Sequence, residues 1–247
     1  MPVLKENRLP IHHPDYRYPP SINPYWEKLK MIQGSVYSDN ETEKFRGQWR
    51  SCFKEVPNAA SAKLHVEIGC NAGHVIVEWA KAHPEDLFIG IDWKFKPIFR
   101  GAEKAARRNL KNLIFLRAHA ERLPYMFGPG EIDRLYLFFP DPWQKKAQLK
   151  NRFVTSERLH EIAKVIKPDG IFHIKTDHRG YFEWMLQAIE KASQSWKVLE
   201  TSWNLHENHP APETLTIPEV TLFERLFIKD QLPIHSVKLN VKPLLQT

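Results

Sequence analysis

The stretch Phe138 to Lys146 reads FFPDPWQKK, an apolar run that breaks into Pro-Asp-Pro-Trp and then two lysines. Pro140 and Pro142 have no N–H to give a β-ladder, so a strand must end here and present Asp141 and Trp143 on a stiff turn. A carboxylate held still in this way can orient a reacting group and favour positive charge forming on it. Trp143 offers a face for a base or, equally, a cover for the core. A second cluster lies in VEIGCNAGH, Val66 to His74, which follows one β-rich run and opens a helical one, the place where α/β folds put nucleotide ligands. Asp92 closes the next β-rich run. The dinucleotide pattern G-x-G-x-x-G is absent, because Cys-Asn-Ala separates Gly69 from Gly73, so a diphosphate is not expected there. Acidic residues for ribose hydroxyls and an ammonium, with loop amides for a carboxylate, suit a nucleoside carrying an amino-acid tail, and S-adenosylmethionine is such a ligand. The plainer alternative is a strand-to-helix turn in which the glycines serve the backbone and Asp92 caps a helix.

Positioning these residues requires a regular scaffold, and the chain has its rhythm. From about residue 60, short β-rich runs alternate with amphipathic ones: LHVEI then HVIVEWAKAH; LFIGID then KFKPIFRGAEKAARRNL; LIFLRA; IDRLYLFF then TSERLHEIAKVI; GIFHIKTD then YFEWMLQAIEKA. That alternation predicts a Rossmann-like α/β fold, a doubly wound, mostly parallel sheet with helices on both faces. Thr155 or Ser156 should cap the fourth helix, and KPDG at 167–170 should end it. The last strands are expected near WKVLETSW and TLFERLFI, after a polar loop containing HENHPAPE. Residues 1–44, rich in Pro, Tyr and charge, read as an irregular arm with one short helix at most, leaving 45–247 as the main domain.

Composition narrows the function classes. No apolar run reaches the roughly 18 residues a membrane span needs, and the start MPVLKENRLP has no secretory pattern, so a cytoplasmic protein without membrane association is expected. Cys52 and Cys70 are too few for a disulfide scaffold or a four-ligand zinc site, the His12–His13 pair lacks Cys or Glu company, and no metal is expected. The formal charge of +7 leans towards a polyanionic partner.

With GID at 90–92, FFPDPWQKK at 138–146, KTD at 175–177 and TLFE at 221–224 in that order, the chain resembles the tRNA (guanine-N7)-methyltransferase family from about Phe45 to Phe227. The Pro-Asp-Pro-Trp turn with its lysines is the most specific part. The resemblance implies the class I methyltransferase fold, S-adenosylmethionine as methyl donor, and a guanine in the tRNA variable loop as acceptor. Carried over residue by residue, it places Glu67, Gly69, Gly73, Asp92, His119 and Asp141 at the cofactor, with Asp141 also catalytic. Lys145, Asp177, Thr221, Phe223 and Glu224 would face the nucleotide. Four positions depart from the family pattern: Asn71 replaces the middle glycine of the loop, His119 replaces an acidic residue, Phe223 replaces Tyr, and the basic run after Trp143 reads KKAQLKNR.

Guanine N7 keeps a lone pair at neutral pH, so its methylation needs alignment and electrostatics rather than a strong base. Glu224 and Asp177 are the natural acceptors for the Watson–Crick edge; the alternatives are an ion pair with Arg225 or another surface cation for the first, and a helix cap for the second. The segment Lys94 to Lys111 carries seven cations against Glu103, which makes either a phosphate-binding face or a merely solvated one. The aromatic, basic arm could clamp RNA in the same way. A non-catalytic RNA-binding relative, weakened at Asn71 and His119, is the competing function.

Overall fold

Eight strands form one sheet in the computed structural model, which describes residues 9–207 and 220–243. In chain order the strands are β1 (Val36–Ser38), β2 (Leu64–Ile68), β3 (Leu87–Asp92), β4 (Leu113–Arg117), β5 (Ile132–Phe138), β6 (Ile166–Thr176), β7 (Trp196–Ser202) and β8 (His235–Val241). The helices are α1 (Pro24–Lys30), α2 (Ile76–Ala82), α3 (Phe95–Arg107), α4 (Leu123–Met126), α5 (Ser156–Val165), α6 (Arg179–Lys191) and α7 (Leu222–Lys229). The spatial order is β1-β4-β3-β2-β5-β6-β8-β7, with every neighbouring pair parallel except the two that β8 makes. The winding reverses at β2, which lies between β3 and β5, and ligands of such sheets sit beyond the strand ends at that reversal.

The continuous apolar runs follow from burial on both faces. Val66, Ile89, Ile114 and Leu135 pack against Leu159 and Ile162 of α5 and Phe182 and Met185 of α6. Phe88 and Phe115 point the other way, into Ile76 and Trp79 of α2 and Ile98 and Ala102 of α3. Strand alternation puts His65 and Glu67 on this second face. His65 stacks on Phe88 and bonds the Tyr136 hydroxyl at 3.0 Å and Asp86 at 3.2 Å, so it is a satisfied core histidine. Burial pushes its pKa down to about 4, which keeps the ring neutral.

Three local readings of the sequence change. TLFERLFI, expected as a strand, is α7. Its Thr221-x-x-Glu224 start is a capping box, with the Thr221 side chain accepting from the Glu224 amide and the Glu224 carboxylate accepting from the Thr221 amide. The strand that closes the sheet is instead His235–Val241, slotted antiparallel between β6 and β7. KPDG does not follow the helix as a separate turn. Helix α5, capped by the Thr155 hydroxyl as expected, ends at Val165, and residues 167–170 form a kink inside β6 with Asp169 at φ +62°. Finally, the N-terminal segment is tied down. α1 begins on an Asn23 cap, β1 pairs with β4, the Trp26 indole donates to Asp39 at 2.9 Å, and Arg117 pairs with the same carboxylate. Three residues are too short to show a period-two pattern, which is why β1 was not legible. The start of the chain and most of the HENHPAPE loop lie outside the described residues.

Candidate active site

A cleft of about 750 Å³ opens beyond the ends of β2, β3 and β5, walled on one side by the loop after β2 and on the other by the Pro-Asp-Pro-Trp turn. Glu67, Gly69, Asp92, His119, Asp141, Thr221 and Phe223 all line it, so the fold brings most of the expected site together. Gly69, Asn71 and Gly73 have φ of +75°, +49° and +65°. The loop needs left-handed backbone at the position where Asn replaces Gly, and Asn tolerates that conformation best among the larger residues. A Cβ at Gly73 would press to 3.0 Å on Phe115 and Val77, whereas one at Gly69 would meet nothing within 4 Å.

The two acidic residues are in different states. Glu67 is 5% exposed, its carboxylate takes the backbone N–H of Ile76 at the start of α2, and its Oε2 has no hydrogen-bond partner. Desolvation first, and then the nearby Asp92 charge, push its pKa up to about 8 against the Ile76 bond. A buried acceptor left open beside a cleft wants a cationic or hydrogen-bonding ligand. Asp92 accepts from the Asn71 amide at 3.1 Å and the Lys94 amide at 2.8 Å, one on each oxygen. A carboxylate has about four acceptor sites, so it retains capacity for ribose hydroxyls. Burial raises its pKa despite the two amides.

His119 lies between Tyr18 and Trp93, nearly parallel to both, with ring centres 5.8 and 5.9 Å away. Its backbone amide donates to the Tyr18 hydroxyl at 2.8 Å. Burial lowers its pKa, against the opposing Glu121 charge and with a smaller push from Arg117, so the ring is neutral and carries one acceptor nitrogen. The N-terminal arm, through Tyr18, therefore backs the His119 wall of the site.

On the opposite wall, Phe139 and Trp143 sit at φ +53° and +43° around the two prolines. For aromatic residues that backbone is strained, and it persists because the surroundings hold it. The Phe139 amide donates to Lys175 O at 2.8 Å, and Arg152 Nε donates to Pro142 O at 2.9 Å while its guanidinium covers the Tyr181 and Trp184 rings. Asp141 is exposed into the cleft on this braced turn.

A family model described as putative methyltransferase matches residues 61–237, well over half of the chain. The tRNA (guanine-N(7)-)-methyltransferase of Bdellovibrio bacteriovorus is 32% identical over 196 residues, covering 79% of this chain and 90% of that one. The enzyme of the same name from Enterococcus faecalis is 36% identical over 179 residues, covering 72% and 80%. The chain belongs to the tRNA (guanine-N7)-methyltransferase family. Its fold is the class I methyltransferase fold, as in the crystal structure of the 16S rRNA methyltransferase KamB, which superposes with a TM-score of 0.56 at 19% identity over 78% of this chain and 94% of that one.

Not every residue matched to the family motifs reaches the cleft. Glu224 has no exposed surface: its Oε1 lies 2.9 Å from Lys175 Nζ and 3.1 Å from His206 Nε2, and Oε2 takes the Thr221 amide at 2.7 Å. As placed it faces no nucleotide, and the cation it pairs with is a buried lysine rather than Arg225 or a surface charge. Thr221 does line the cleft, and its hydroxyl accepts from the Glu224 amide while keeping its own proton to donate. Phe223 is half exposed there and packs on Phe139 at 6.0 Å. Asp177 is exposed just past β6, outside the cleft lining; it is no helix cap, since His178 accepts from the Tyr181 amide to start α6. Lys145 is exposed just before a 3-10 turn, Lys146–Asn151, of which Lys150 and Asn151 line the cleft.

Motif reading missed Tyr18, Trp93, Arg152 and Lys175. Arg152 carried a signal as part of the basic run and Lys175 as the first residue of KTD; in the fold Arg152 braces the turn and Lys175 pairs with Glu224. The α3 cations are also partly engaged: Arg100 pairs with Glu103 at 2.8 Å, Arg108 with Glu78 at 2.6 Å and Lys111 with Glu55 at 3.0 Å. Lys94, Lys96 and Arg107 of the same segment are exposed and make no ion pair among the described residues, so part of the segment stays open either to phosphate or to solvent.

Proposed function

We propose that the protein transfers a methyl group from S-adenosylmethionine to N7 of a guanine in the tRNA variable loop, in the cytoplasm. The observation that carries this reading is the pairing of an open, buried Glu67 carboxylate with the rigid Asp141 turn across one cleft, in a chain of this family. The residues fit the donor. Glu67 Oε2 would accept from its ammonium, Asp92 from its ribose, and the neutral His119 from its adenine edge, while Gly69 leaves room beside the loop. When bound, S-adenosylmethionine supplies an electrophilic methyl on a sulfonium centre. Guanine N7 already has its lone pair, so no side chain has to remove a proton first. The work left to the protein is alignment, and stabilisation of the positive charge that develops on the base. Asp141 does both from a turn that two prolines, Arg152 and the Lys175 carbonyl hold still. Thr221 and the exposed Asp177 can meet the Watson–Crick edge, and buried Glu224 acts indirectly by fixing Thr221 and Phe223. Among the described residues no helix is long and apolar enough to cross a membrane.

The alternative, an RNA-binding relative without catalysis, loses its main support because Asn71 adopts the backbone that glycine would. A methyl-transfer assay on bulk tRNA, with the modified base identified by mass, tests the reading. Formation of 7-methylguanine is expected; tRNA binding with neither methyl transfer nor calorimetric binding of S-adenosylmethionine would favour the alternative.

A further inference from the structure

The basic segment Lys94 to Lys111 reads as a phosphate-binding or a solvated face, yet the Lys104 ammonium turns inward. Its Nζ donates to the carbonyl of Ala72 at 3.0 Å, across 32 residues of sequence. Ala72 sits between the two left-handed residues Asn71 and Gly73, and among the described residues no backbone amide reaches its carbonyl. Gly69, Cys70, Asn71 and His74 line the cleft whereas Ala72 does not, so Lys104 grips the loop from behind. We propose that Lys104 is a positioning residue for the cofactor loop 69–74, and that its charge raises the loop's attraction for the carboxylate of S-adenosylmethionine.

Packing supports the grip. Helix α3 lies directly on the loop: a Cβ at Gly101, one turn before Lys104, would fall 2.8 Å from the Phe115 ring and 3.4 Å from the Ala72 carbonyl carbon. Arg108, one turn later, ties α3 to Glu78 of α2, so the same helix face fixes the loop and the helix that the loop opens. The charge is felt at the loop, because His74, held neutral first by burial, is lowered further by Lys104. Partial burial, with Arg108 and Arg107 nearby and Glu78 opposing, lowers the pKa of Lys104 itself, as expected for an ammonium withdrawn from water. A charged donor on a loop carbonyl is an interaction that holds geometry more firmly than a neutral one.

The inference rests on the reading that this cleft holds S-adenosylmethionine, and the experiment keeps the two apart. Calorimetric titration with S-adenosylmethionine is run on the native chain, Lys104→Met and Lys104→Arg. Amide exchange of residues 69–74 is followed in the ligand-free proteins, and tRNA affinity is measured against salt. Lys104→Met should weaken S-adenosylmethionine binding roughly tenfold, as expected when a hydrogen bond from a charged group is removed. It should also speed exchange in the loop, with the melting temperature and the tRNA salt slope nearly unchanged, and Lys104→Arg should restore most of the affinity. Native-like ligand affinity in Lys104→Met overturns the inference, and so does a salt slope reduced by the equivalent of one phosphate with loop exchange unaltered. A general fall in stability that Arg does not rescue counts against it as well. If the native chain itself fails to bind S-adenosylmethionine, the proposed function falls, and loop exchange alone decides whether Lys104 positions the loop.

Discussion

Glu67 and Asp141 are both carboxylates lining one cleft, yet their surroundings give them different tasks. Glu67 is a buried acid whose pKa, raised first by desolvation to about 8, lies above its unfolded value. The folded ligand-free protein therefore holds a proton there that the unfolded chain loses. Stability from this group is fully present below the ordinary carboxylate range, about 4.3, and is lost as pH rises towards 8. Thermal melts of the ligand-free protein should show that decline. Glu67→Gln should flatten it, and S-adenosylmethionine should stabilise the native chain more at pH 8 than at pH 6, because its ammonium meets the ionised carboxylate. A melt profile with no difference between native and Gln forms would remove the role given to the open Oε2. Asp141 is exposed on a braced turn, and in the proposed reaction it acts through its charge. Asp141→Asn keeps the shape and removes the charge, so single-turnover methyl transfer at saturating donor and tRNA should slow about a hundredfold to a thousandfold, with folding intact. A near-native rate would mean that Asp141 only shapes the turn. Both residues were readable from sequence because their signals are local, a strand end followed by Gly or Pro. His119 came from family position alone, and its Tyr18 and Trp93 partners come from segments that no motif links.

At the level of elements, the alternating runs were legible because parallel strands buried on both faces are continuous and apolar, and their helices carry caps. The errors fell where local pattern was ambiguous or tertiary packing decided. TLFERLFI has apolar positions that suit either a strand or one helix face, and the Thr-x-x-Glu cap resolves it as α7. β8 and β1 are recognisable only once β6, β7 and β4 are there to pair with them. The most consequential link between elements is the tie between β6 and α7, where buried Lys175 meets buried Glu224. Burial alone would raise the Glu224 pKa. The His206 bond, the Lys175 charge and the Thr221 amide outweigh it, and hold the carboxyl below its ordinary value. A lowered carboxyl contributes stability that is present above the unfolded pKa and is lost as pH falls through the folded one. Acid unfolding should therefore begin with release of α7 as pH drops below about 4. Removing one partner takes the ion pair away from a buried charge, so Glu224→Ala or Lys175→Ala should each cost up to about 3–5 kcal/mol in denaturant unfolding. The double variant should cost much less than the sum. Additive losses would show that the pair does not anchor α7, and with it Thr221 and Phe223.

For the whole molecule, the formal charge of +7 has to be placed before it can be assigned to RNA. In the segment Lys94–Lys111 three cations meet carboxylates and Lys104 meets a carbonyl, which leaves Lys94, Lys96 and Arg107 exposed and without an ion pair among the described residues. Arg152 and Arg122 are buried, bracing the turn and the N-terminal arm. Lys145, Lys146 and Lys150 are exposed beside the cleft mouth and make no ion pair among the described residues. They share that rim with exposed Trp93 and Phe223, the combination of cations and aromatic faces that single-stranded nucleic acid prefers. The tRNA footprint should therefore follow the Pro-Asp-Pro-Trp side of the cleft, where the guanine must arrive, rather than α3. Replacing Lys145, Lys146 and Lys150 together by Gln should weaken tRNA binding and reduce its logarithmic salt slope by roughly 0.7 to 0.9 for each phosphate no longer neutralised, while S-adenosylmethionine affinity stays native. Replacing Arg100, Arg108 and Lys111 in the same way should leave the salt slope nearly unchanged, since those charges already have carboxylate partners. Measuring both triple variants across a salt series decides between the faces. If the α3 variant shows the larger drop in slope, its ion pairs open for phosphate and the tRNA lies across the back of the cofactor loop.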